Sequence, residues 1–452
     1  MLKSGKGSRV PGEGARELAL KVLLDSERRD AYLNILLSSK LESSILDRRD
    51  RAFTTELVQG TMRMKGTLDW VLERFSDLEP GSLEPALLWI IRLSAYQMLF
   101  MSVPDHAACD QGVRLARRHI GRGGAAYANG VLRSLARGRD EITYPDPDED
   151  FARYLEVKYS HPRWVIDMWI DELGKDRAES LCEADNVPRP VSIRCNLLKT
   201  GRDWLASSLS GRGLNVDTSP LVPEGILLSG GGSIGALEEY RNGDFTVQDQ
   251  GSVLVGHAVS ARPGMRVLDM CAAPGGKSTH LAELMNNNGR VLALDINAAR
   301  LSLLEESAVR LGDTIIEARV MDATSASKVI EERFDRVLVD APCTGLGTLS
   351  RRPDVRWRKA ARDIDSLSRL QVDLLTEGSR MLEAGGIMVY STCTISKKEN
   401  ESVVEEFLES NPGFSSLDAG SLVPGGLSGR YLQLFPDVHG CDGIFIAALR
   451  CG

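Results

Sequence analysis

The chain of 452 residues has no long apolar run, no Cys-x-x-Cys pair and no apolar stretch behind its basic first residues. Its best membrane candidate, Ala86 to Met101, is shorter than the roughly 18 residues that span a bilayer and contains Arg92. Eight cysteines without such pairs favour a reducing compartment over a disulfide framework. The lack of an apolar signal region predicts no export, so we expect a cytoplasmic protein without membrane contact.

Extreme composition is also absent, since apolar residues make up 42% and charged residues 26% of the chain. These values exclude collagen, coiled coils and wholesale disorder, and the length predicts two or three domains. The net charge is −8, although residues 1–142 hold 22 basic and 18 acidic side chains. Seven arginines and no acidic residue lie between Gln111 and Arg139, which indicates either a phosphate-binding surface or an ordinary solvated helix face.

The spacing of apolar residues changes along the chain and divides it into segments. Three-to-four spacing predicts an all-α bundle over residues 1–142, with helices at Arg16–Asp25, Asp50–Glu73, Leu83–Met101, Cys109–Ile120 and Ala125–Arg137. Residues 143–150, rich in Pro and Asp, have little to bury and are predicted to be a linker. Residues 151–241 are predicted to form a small α+β module that binds RNA, with two helices, a strand at Val191–Cys195 and a glycine-rich turn at 230–232.

Residues 242–452 alternate between apolar strands and helices, which predicts an α/β domain with a mostly parallel sheet covered on both faces. The predicted strands are Arg266–Asp269, Val291–Asp295, Ile315–Met321, Asp335–Asp340, Gly386–Tyr390 and Ile444–Leu449. The predicted helices are Lys277–Met285, Asn297–Leu311, Ile364–Leu382 and Lys397–Ser410. In such sheets, ligands bind beyond the carboxyl ends of the strands.

The first of these strands ends in Asp269-Met-Cys-Ala-Ala-Pro-Gly-Gly-Lys-Ser278, whose glycines allow a ligand to approach the backbone. Asp295, 19 residues after Gly276, suits ribose hydroxyls, and Asp322 ends the next strand. Each acid alone could equally cap a helix. Cys271 stands where a triphosphate-binding loop needs glycine, and a Gly-x-Gly-x-x-Gly pattern is absent here. An acid-lined pocket suits a cation, so we prefer S-adenosylmethionine, which carries a sulfonium.

Two further strand ends carry cysteines, in Asp340-Ala-Pro-Cys-Thr-Gly345 and Tyr390-Ser-Thr-Cys-Thr394. A single free cysteine is commonly inert core, but two at the ligand side of one sheet favour chemistry. With the Cys-Ala-Ala-Pro-Gly-Gly-Lys loop, these motifs resemble the RNA cytosine-5 methyltransferases of the NOL1/NOP2/sun family. Further segments resemble the same family, namely Arg194–Lys199, Val247–Gln250, Arg351–Trp357 and Asp442–Phe445.

The first part of the chain resembles the NusB-like RNA-binding domain, through Asp50–Phe53, Leu57–Gly60, Leu93–Gln97 and Ala126–Arg133. The resemblance extends from about Ala15 to Leu449. It implies a Rossmann-like, S-adenosylmethionine-dependent methyltransferase domain and small-subunit ribosomal RNA as the substrate. A transfer-RNA methyltransferase and a non-catalytic RNA-binding assembly factor are the alternatives.

Carbon 5 of cytosine is a poor nucleophile until a thiolate adds to carbon 6 and leaves an electron-rich enamine. The resemblance implies that Cys393 is this nucleophile, that Cys343 aids release, that Asp340 bonds the ring nitrogen and that Lys277 contacts the base carbonyl. It also implies the cofactor contacts Cys271, Ala272, Ala273, Pro274, Gly275, Gly276, Lys277, Asp295, Arg300, Asp322 and Asp340. Because DNA cytosine methyltransferases attack with the cysteine of the Pro-Cys pair, Cys343 stays an alternative nucleophile.

The target base must leave its stack to reach two thiols. The basic strip Arg351–Arg362, which contains Trp357, is predicted either to hold the RNA backbone or to be an exposed helix start. The lack of an Asn/Asp-Pro-Pro-Tyr loop argues against methylation of an exocyclic amine. Six histidines show no metal-ligand spacing, so we expect no metal, and we expect a monomer.

Overall fold

The computed structural model describes residues 13–29, 31–230 and 233–452. Residues 1–12 of the predicted bundle and Gly231 and Gly232 of the predicted turn lie outside the described residues. The described chain divides into two compact units. The first unit contains the residues up to Asn186 together with Arg352–Arg358, and the second contains Val187–Arg351 and Lys359–Gly452. Among the described residues, no helix combines the length and the apolar character that crossing a membrane requires.

The first unit is helical, as predicted for its N-terminal part. Its helices are α1 Glu13–Arg29, α2 Leu33–Glu42, α3 Arg48–Arg63, α4 Lys65–Phe75, α5 Pro85–Leu99, α6 Asp105–His119, α7 Arg122–Gly138, α8 Phe151–Tyr159, α9 Arg163–Leu173 and α10 Lys175–Ala184. The apolar helix α5 is buried from Ala86 to Met98, because a helix that is hydrophobic all round needs neighbours on every side.

Two details of this unit differ from the prediction. The predicted helix at Asp50–Glu73 is interrupted at Met64, and the backbone N–H of Gly66 in the second half donates to Ser160 Oγ at 2.9 Å. Helix α2 was not predicted, although it buries Leu33 and Leu37.

The second unit begins with a four-stranded antiparallel sheet in the order β2-β3-β1-β4. Its elements are β1 Val191–Cys195, α11 Arg202–Gly211, β2 Asn215–Thr218, β3 Gly225–Ser229, α12 Glu238–Arg241 and β4 Phe245–Val247. The strand at Val191–Cys195 is confirmed. The predicted module at 151–241 is nevertheless divided, because α8, α9 and α10 pack with the first unit and the strands with the second.

The rest of the second unit is built on an eight-stranded sheet in the order β10-β12-β9-β8-β5-β6-β7, with β11 beside β12. Its elements are α13 Gln250–Val259, β5 Arg266–Asp269, α14 Gly276–Leu284, β6 Arg290–Asp295, α15 Ala298–Leu311, β7 Ile316–Val320, β8 Phe334–Asp340, α17 Ala361–Arg380, β9 Leu382–Thr392, α18 Glu401–Ser410, β10 Phe414–Ser416, β11 Tyr431–Gln433, α19 Pro436–His439 and β12 Phe445–Cys451. Helix α16, Val355–Arg358, belongs to the first unit.

The predicted mostly parallel sheet is confirmed, since β5, β6, β7, β8 and β9 run parallel and β12 runs antiparallel beside β9. Both faces are covered. Leu268 and Val337 pack in one apolar cluster with residues of α17 and α18, whereas their neighbours Val267 and Leu338 pack in another with α13 and α14. Because adjacent strands are parallel, the carboxyl ends of β5, β6, β8 and β9 lie along one edge of the sheet.

Candidate active site

The loop after β5 is held by its own backbone and by the neighbouring strand. The N–H of Ala272 donates to Leu294 O at 2.8 Å, and the N–H of Gly275 donates to Ala272 O at 2.8 Å. Gly275 has φ +106°, and a Cβ there would lie 2.7 to 2.9 Å from atoms of Leu304. Glycine is therefore required here, and it lets the loop pack on α15 before α14 begins at Gly276.

Asp295 and Arg300 both hold this loop in place. Asp295 is 8% exposed and accepts hydrogen bonds from the N–H of Ala273 at 3.1 Å and from the N–H of Asn297 at 2.8 Å. The Arg300 guanidinium donates to the carbonyl of Ala273. Both side chains thus fix the backbone of the predicted cofactor loop, and Arg300 has a positioning contact that the sequence did not reveal.

Asp322 lies on the neighbouring strand end, since the N–H of Met321 donates to Asp295 O at 3.0 Å. Its Oδ1 atom accepts from the N–H of Thr324 at 3.0 Å and from the Thr324 hydroxyl at 2.7 Å. The exposed Asp322 carboxylate therefore caps a short 3₁₀ turn. Capping does not remove its remaining acceptor capacity, because each carboxylate oxygen has two lone-pair sites.

Lys277 and Asp340 form an ion pair at the edge of the sheet. Lys277 Nζ lies 2.7 Å from Asp340 Oδ2, and the Ser391 hydroxyl donates to Asp340 Oδ1 at 2.8 Å. Burial lowers the pKa of Lys277, but the charge of Asp340 and its hydrogen bond outweigh burial and raise that pKa overall. The charge of Cys393 acts in the same direction. The ammonium group is therefore retained in this partly buried place.

The two predicted cysteines meet beside this pair. Cys343 Sγ lies 3.4 Å from Cys393 Sγ and accepts a hydrogen bond from the Cys393 N–H at 3.3 Å. The hydrogen bond with Cys393 raises the pKa of the Cys343 thiol well above its usual range, and burial adds to this effect. The Cys343 thiol therefore favours its protonated form, and either thiol can be the donor between the two sulfurs.

A buried polar network behind the thiols joins their loops. Glu399 accepts from the N–H of Thr344 at 2.8 Å and from the Thr344 hydroxyl at 2.5 Å, and the hydroxyls of Thr344 and Thr394 are 2.7 Å apart. Gln371 Nε2 donates to Pro342 O at 2.9 Å. The sequence reasoning missed this network, although one signal was present: each cysteine is followed by a threonine.

A second set of contacts fixes the far end of the Cys343 loop. The N–H of Gly347 donates to Cys393 O at 2.9 Å, and a Cβ at Gly347 would lie 2.0 Å from the carbonyl oxygen of Gly443. Arg351 Nη2 lies 3.1 Å from Asp249 Oδ2, and its Nε lies 3.1 Å from Asp442 Oδ1. The loop that follows β8 and carries Cys343 is therefore held at both ends.

Known proteins resemble the whole chain. The profile of the 16S rRNA methyltransferase RsmB/F family matches residues 257–450, that of the NusB family residues 13–137, and that of the RsmF/B-like ferredoxin-like domain residues 161–235. The Bacillus subtilis protein named "Probable ribosomal RNA small subunit methyltransferase B" is 38% identical over 96% of this chain and 98% of its own length. The Erwinia tasmaniensis ribosomal RNA small subunit methyltransferase B is 30% identical over 94% of this chain and 95% of its length.

The chain belongs to the RsmB/F family of 16S rRNA methyltransferases. Its fold agrees with a solved structure, because the crystal structure of PH0851 matches 98% of this chain and 100% of that one, with a TM-score of 0.84 and 29% identity. The fold class is thereby confirmed: a NusB-like helical domain, a ferredoxin-like module and a Rossmann-like methyltransferase domain with a mixed sheet.

One prediction for this RsmB/F member is wrong. The segment Arg351–Arg358 is not an open RNA-binding surface, because Arg351 pairs with two carboxylates and Arg356 is fully buried in the first unit. Only the end of the strip agrees with the alternative, since Arg362 is exposed at the start of α17. Trp357 Nε1 donates to Met62 O at 2.9 Å in that unit. Sequence charge alone could not show that these side chains satisfy buried acceptors.

Ile296 is a further residue that the sequence reasoning passed over. It directly follows Asp295 and is 73% exposed, which is unusual for a large apolar side chain at the end of a buried strand. An exposed apolar side chain beside a candidate ribose acceptor suits a flat aromatic ring, so Ile296 joins the candidate cofactor residues of this family member.

Proposed function

We propose that this protein transfers a methyl group from S-adenosylmethionine to carbon 5 of a cytosine in small-subunit ribosomal RNA, through a covalent adduct with Cys393. The observation that carries the proposal is the 3.4 Å separation of the Cys343 and Cys393 sulfur atoms beside the Lys277–Asp340 ion pair. Two thiols next to a buried ammonium group suit addition and later elimination at a pyrimidine ring.

The residues at the sheet edge fit S-adenosylmethionine. Asp322 is exposed at its strand end and keeps acceptor capacity beyond its capping bonds, so an acceptor is available for a cationic or hydrogen-bonding ligand. We assign the loop Cys271–Gly276 with Lys277 and Asp340 to the cofactor, together with Asp295 and Asp322 as acceptors for its hydroxyls. When bound, S-adenosylmethionine supplies an electrophilic methyl group.

Cys393 is the better candidate for the nucleophile. Cys343 holds its proton, because its hydrogen bond with Cys393, its burial and the charges of Cys393 and Glu399 all disfavour its anion. The interaction of the Lys277 ammonium with Cys393 favours a negative sulfur at residue 393. Attack by Cys393 forms its sulfur–carbon bond at carbon 6 of the cytosine.

The adduct must then be stabilised and released. We assign Asp340, held by Lys277 and Ser391, to hydrogen bonding with the cytosine ring nitrogen, and Lys277 to the base carbonyl. After carbon 5 accepts the methyl group, a base removes the carbon-5 proton and the bond between carbon 6 and Cys393 breaks. The Cys343 thiol stabilises the departing thiolate as its hydrogen-bond donor.

We propose that the NusB-like part supplies general affinity for RNA. Arg117 and Arg118 on α6 and Arg122, Arg133 and Arg137 on α7 are exposed. A surface of this kind binds phosphate in a salt-sensitive manner and leaves the choice of base to the catalytic domain. The enzyme would act in the cytoplasm, where ribosomal RNA is processed, and as a monomer.

The decisive experiment measures release of tritium from carbon-5-labelled cytosine in small-subunit ribosomal RNA. We expect tritium release to require S-adenosylmethionine and to be absent in the Cys393→Ala variant. Bisulfite mapping of the same RNA should then identify one methylated cytosine. If tritium is released from transfer RNA and not from ribosomal RNA, the protein is a transfer-RNA methyltransferase. RNA binding without any release would make the protein a non-catalytic assembly factor.

A further inference from the structure

Glu224, His257 and His280 form a cluster in the second unit, remote in sequence from one another. Glu224 directly precedes β3 in the four-stranded sheet, His257 lies in the last turn of α13, and His280 lies in α14. Gly256 permits the approach of the two helices, because a Cβ there would lie 2.1 Å from His280 Nδ1. Histidine spacing along the sequence did not reveal this cluster, because its members come from three elements.

The ligand atoms of the cluster converge on one point. His257 Nε2 lies 2.8 Å and His280 Nε2 lies 2.9 Å from the same oxygen, Glu224 Oε1, and one ligand atom of each residue lies within 4.8 Å of the others. Ligand atoms that are each about 2.0 to 2.2 Å from one tetrahedral zinc ion lie about 3.3 to 3.6 Å apart. The carboxylate and imidazole atoms would therefore have to separate by only about half an ångström to hold such an ion.

The cluster also contains one carboxylate oxygen that its histidines leave without a partner. Glu224 Oε2 is buried and has no hydrogen-bond partner among the described residues. A buried carboxylate with an unpartnered oxygen favours a bound cation.

We propose that Glu224, His257 and His280 bind a divalent transition-metal ion of the zinc class. One carboxylate and two imidazoles suit such an ion better than Mg²⁺ or Ca²⁺, which prefer oxygen ligands. The side chain of His257 is 19% exposed, which provides access for the ion and a place for a water ligand. The ion would link the ferredoxin-like module to α13 and to α14, the helix that follows the cofactor loop.

The test uses Zn²⁺ and Co²⁺ on the full-length chain in which Cys343 and Cys393 are both changed to Ser, because adjacent thiols are a competing zinc site. We expect one equivalent of Zn²⁺ by calorimetric titration and the visible absorption of four- or five-coordinate Co²⁺. Glu224→Gln, which replaces an anionic ligand by a neutral one, and His257→Asn, which removes an imidazole ligand, should each weaken binding about 100-fold in this background. His439→Asn, outside the cluster, is the matched control.

Circular dichroism shows whether each variant is folded, and the partly exposed His257 provides the safer substitution if Glu224→Gln unfolds the protein. The proposal is overturned if the protein without Cys343 and Cys393 binds no Zn²⁺ at micromolar concentration. It is also overturned if His257→Asn binds as tightly as its parent. In either case the three side chains serve only as a hydrogen-bonded brace.

Discussion

Cys343 Sγ and Cys393 Sγ are 3.4 Å apart although the two residues are 50 positions apart in sequence. Their strands, β8 and β9, are adjacent and parallel, so the loops that follow them emerge at the same edge. One sulfur can therefore attack a base while the other donates a hydrogen bond to it, and the two cysteines should fail in different ways when replaced.

Cys343→Ala should trap the enzyme on its RNA. Without the thiol that stabilises the departing sulfur, the adduct at Cys393 should accumulate and turnover should fall by about 10³-fold or more. Denaturing gel electrophoresis with labelled RNA measures the adduct. Cys393→Ala should give neither adduct nor product, whereas Cys451→Ser should behave as wild type. Adduct formation by Cys393→Ala but not by Cys343→Ala would make Cys343 the nucleophile.

A mild thiol oxidant should join the two sulfurs. Diamide, which takes up two electrons and two protons, is expected to convert the thiols of Cys343 and Cys393 into a disulfide and to stop methyl transfer. Dithiothreitol should restore activity. Peptide mapping by mass spectrometry identifies the linked pair, and a link between any other pair of cysteines would contradict the geometry.

Replacing Lys277 by Met should slow the chemical step more than it weakens RNA binding. Loss of the ammonium group removes the charge that favours a negative Cys393 sulfur, so kcat at neutral pH should fall about 10²-fold or more. The acidic limb of the rate profile should move to higher pH. Lys277→Arg, which keeps the charge, should retain the wild-type profile. If the Lys277→Met and Lys277→Arg variants have the same pH–rate profile, the charge at residue 277 does not favour the Cys393 anion.

Thr344→Val should loosen the site without touching either sulfur. It leaves a buried oxygen of Glu399 without its hydroxyl donor, which costs about 1 to 3 kcal/mol of stability. We also expect a lower kcat, because Thr344 and Thr394 join the two cysteine loops. Thr348→Val is the matched control, since its hydroxyl donates only to the nearby Gly345 O at 2.8 Å. Thermal unfolding and single-turnover assays measure the two effects.

Acid should loosen the first unit around His161. Burial, with the charge of Arg356, lowers the pKa of this imidazole from 6.5 to about 4, so the folded state holds it neutral. The unfolded chain binds the proton first, and local stability should therefore fall as pH drops from about 6.5 to about 4, by up to about 3 kcal/mol. Hydrogen–deuterium exchange of α8 and α9 measures this loss. His161→Gln should flatten the dependence, whereas His119→Gln at the surface should not.

Local patterns predicted the strands well, because apolar runs bounded by turns identify buried strands without reference to any partner. The strand at Arg266–Asp269 is found with the same bounds. The predicted cysteines also met, since adjacent parallel strands carry both. Long-range contacts could not be predicted, because they join segments that are far apart in the sequence. No local pattern indicates that Glu399 accepts a hydrogen bond from Thr344, or that α8 to α10 belong to the first unit.

The burial of Arg356 has a practical consequence for anyone who dissects this protein. Its guanidinium donates to Ser160 O at 2.9 Å, to Asn186 Oδ1 at 3.2 Å and to Arg63 O at 3.3 Å. A fragment that ends at Asn186 would thus lack the buried Arg356 side chain and leave these acceptors without their donor. Adding a synthetic peptide that spans residues 352–358 should restore the stability of such a fragment, as the two parts of a split protein do when they are combined.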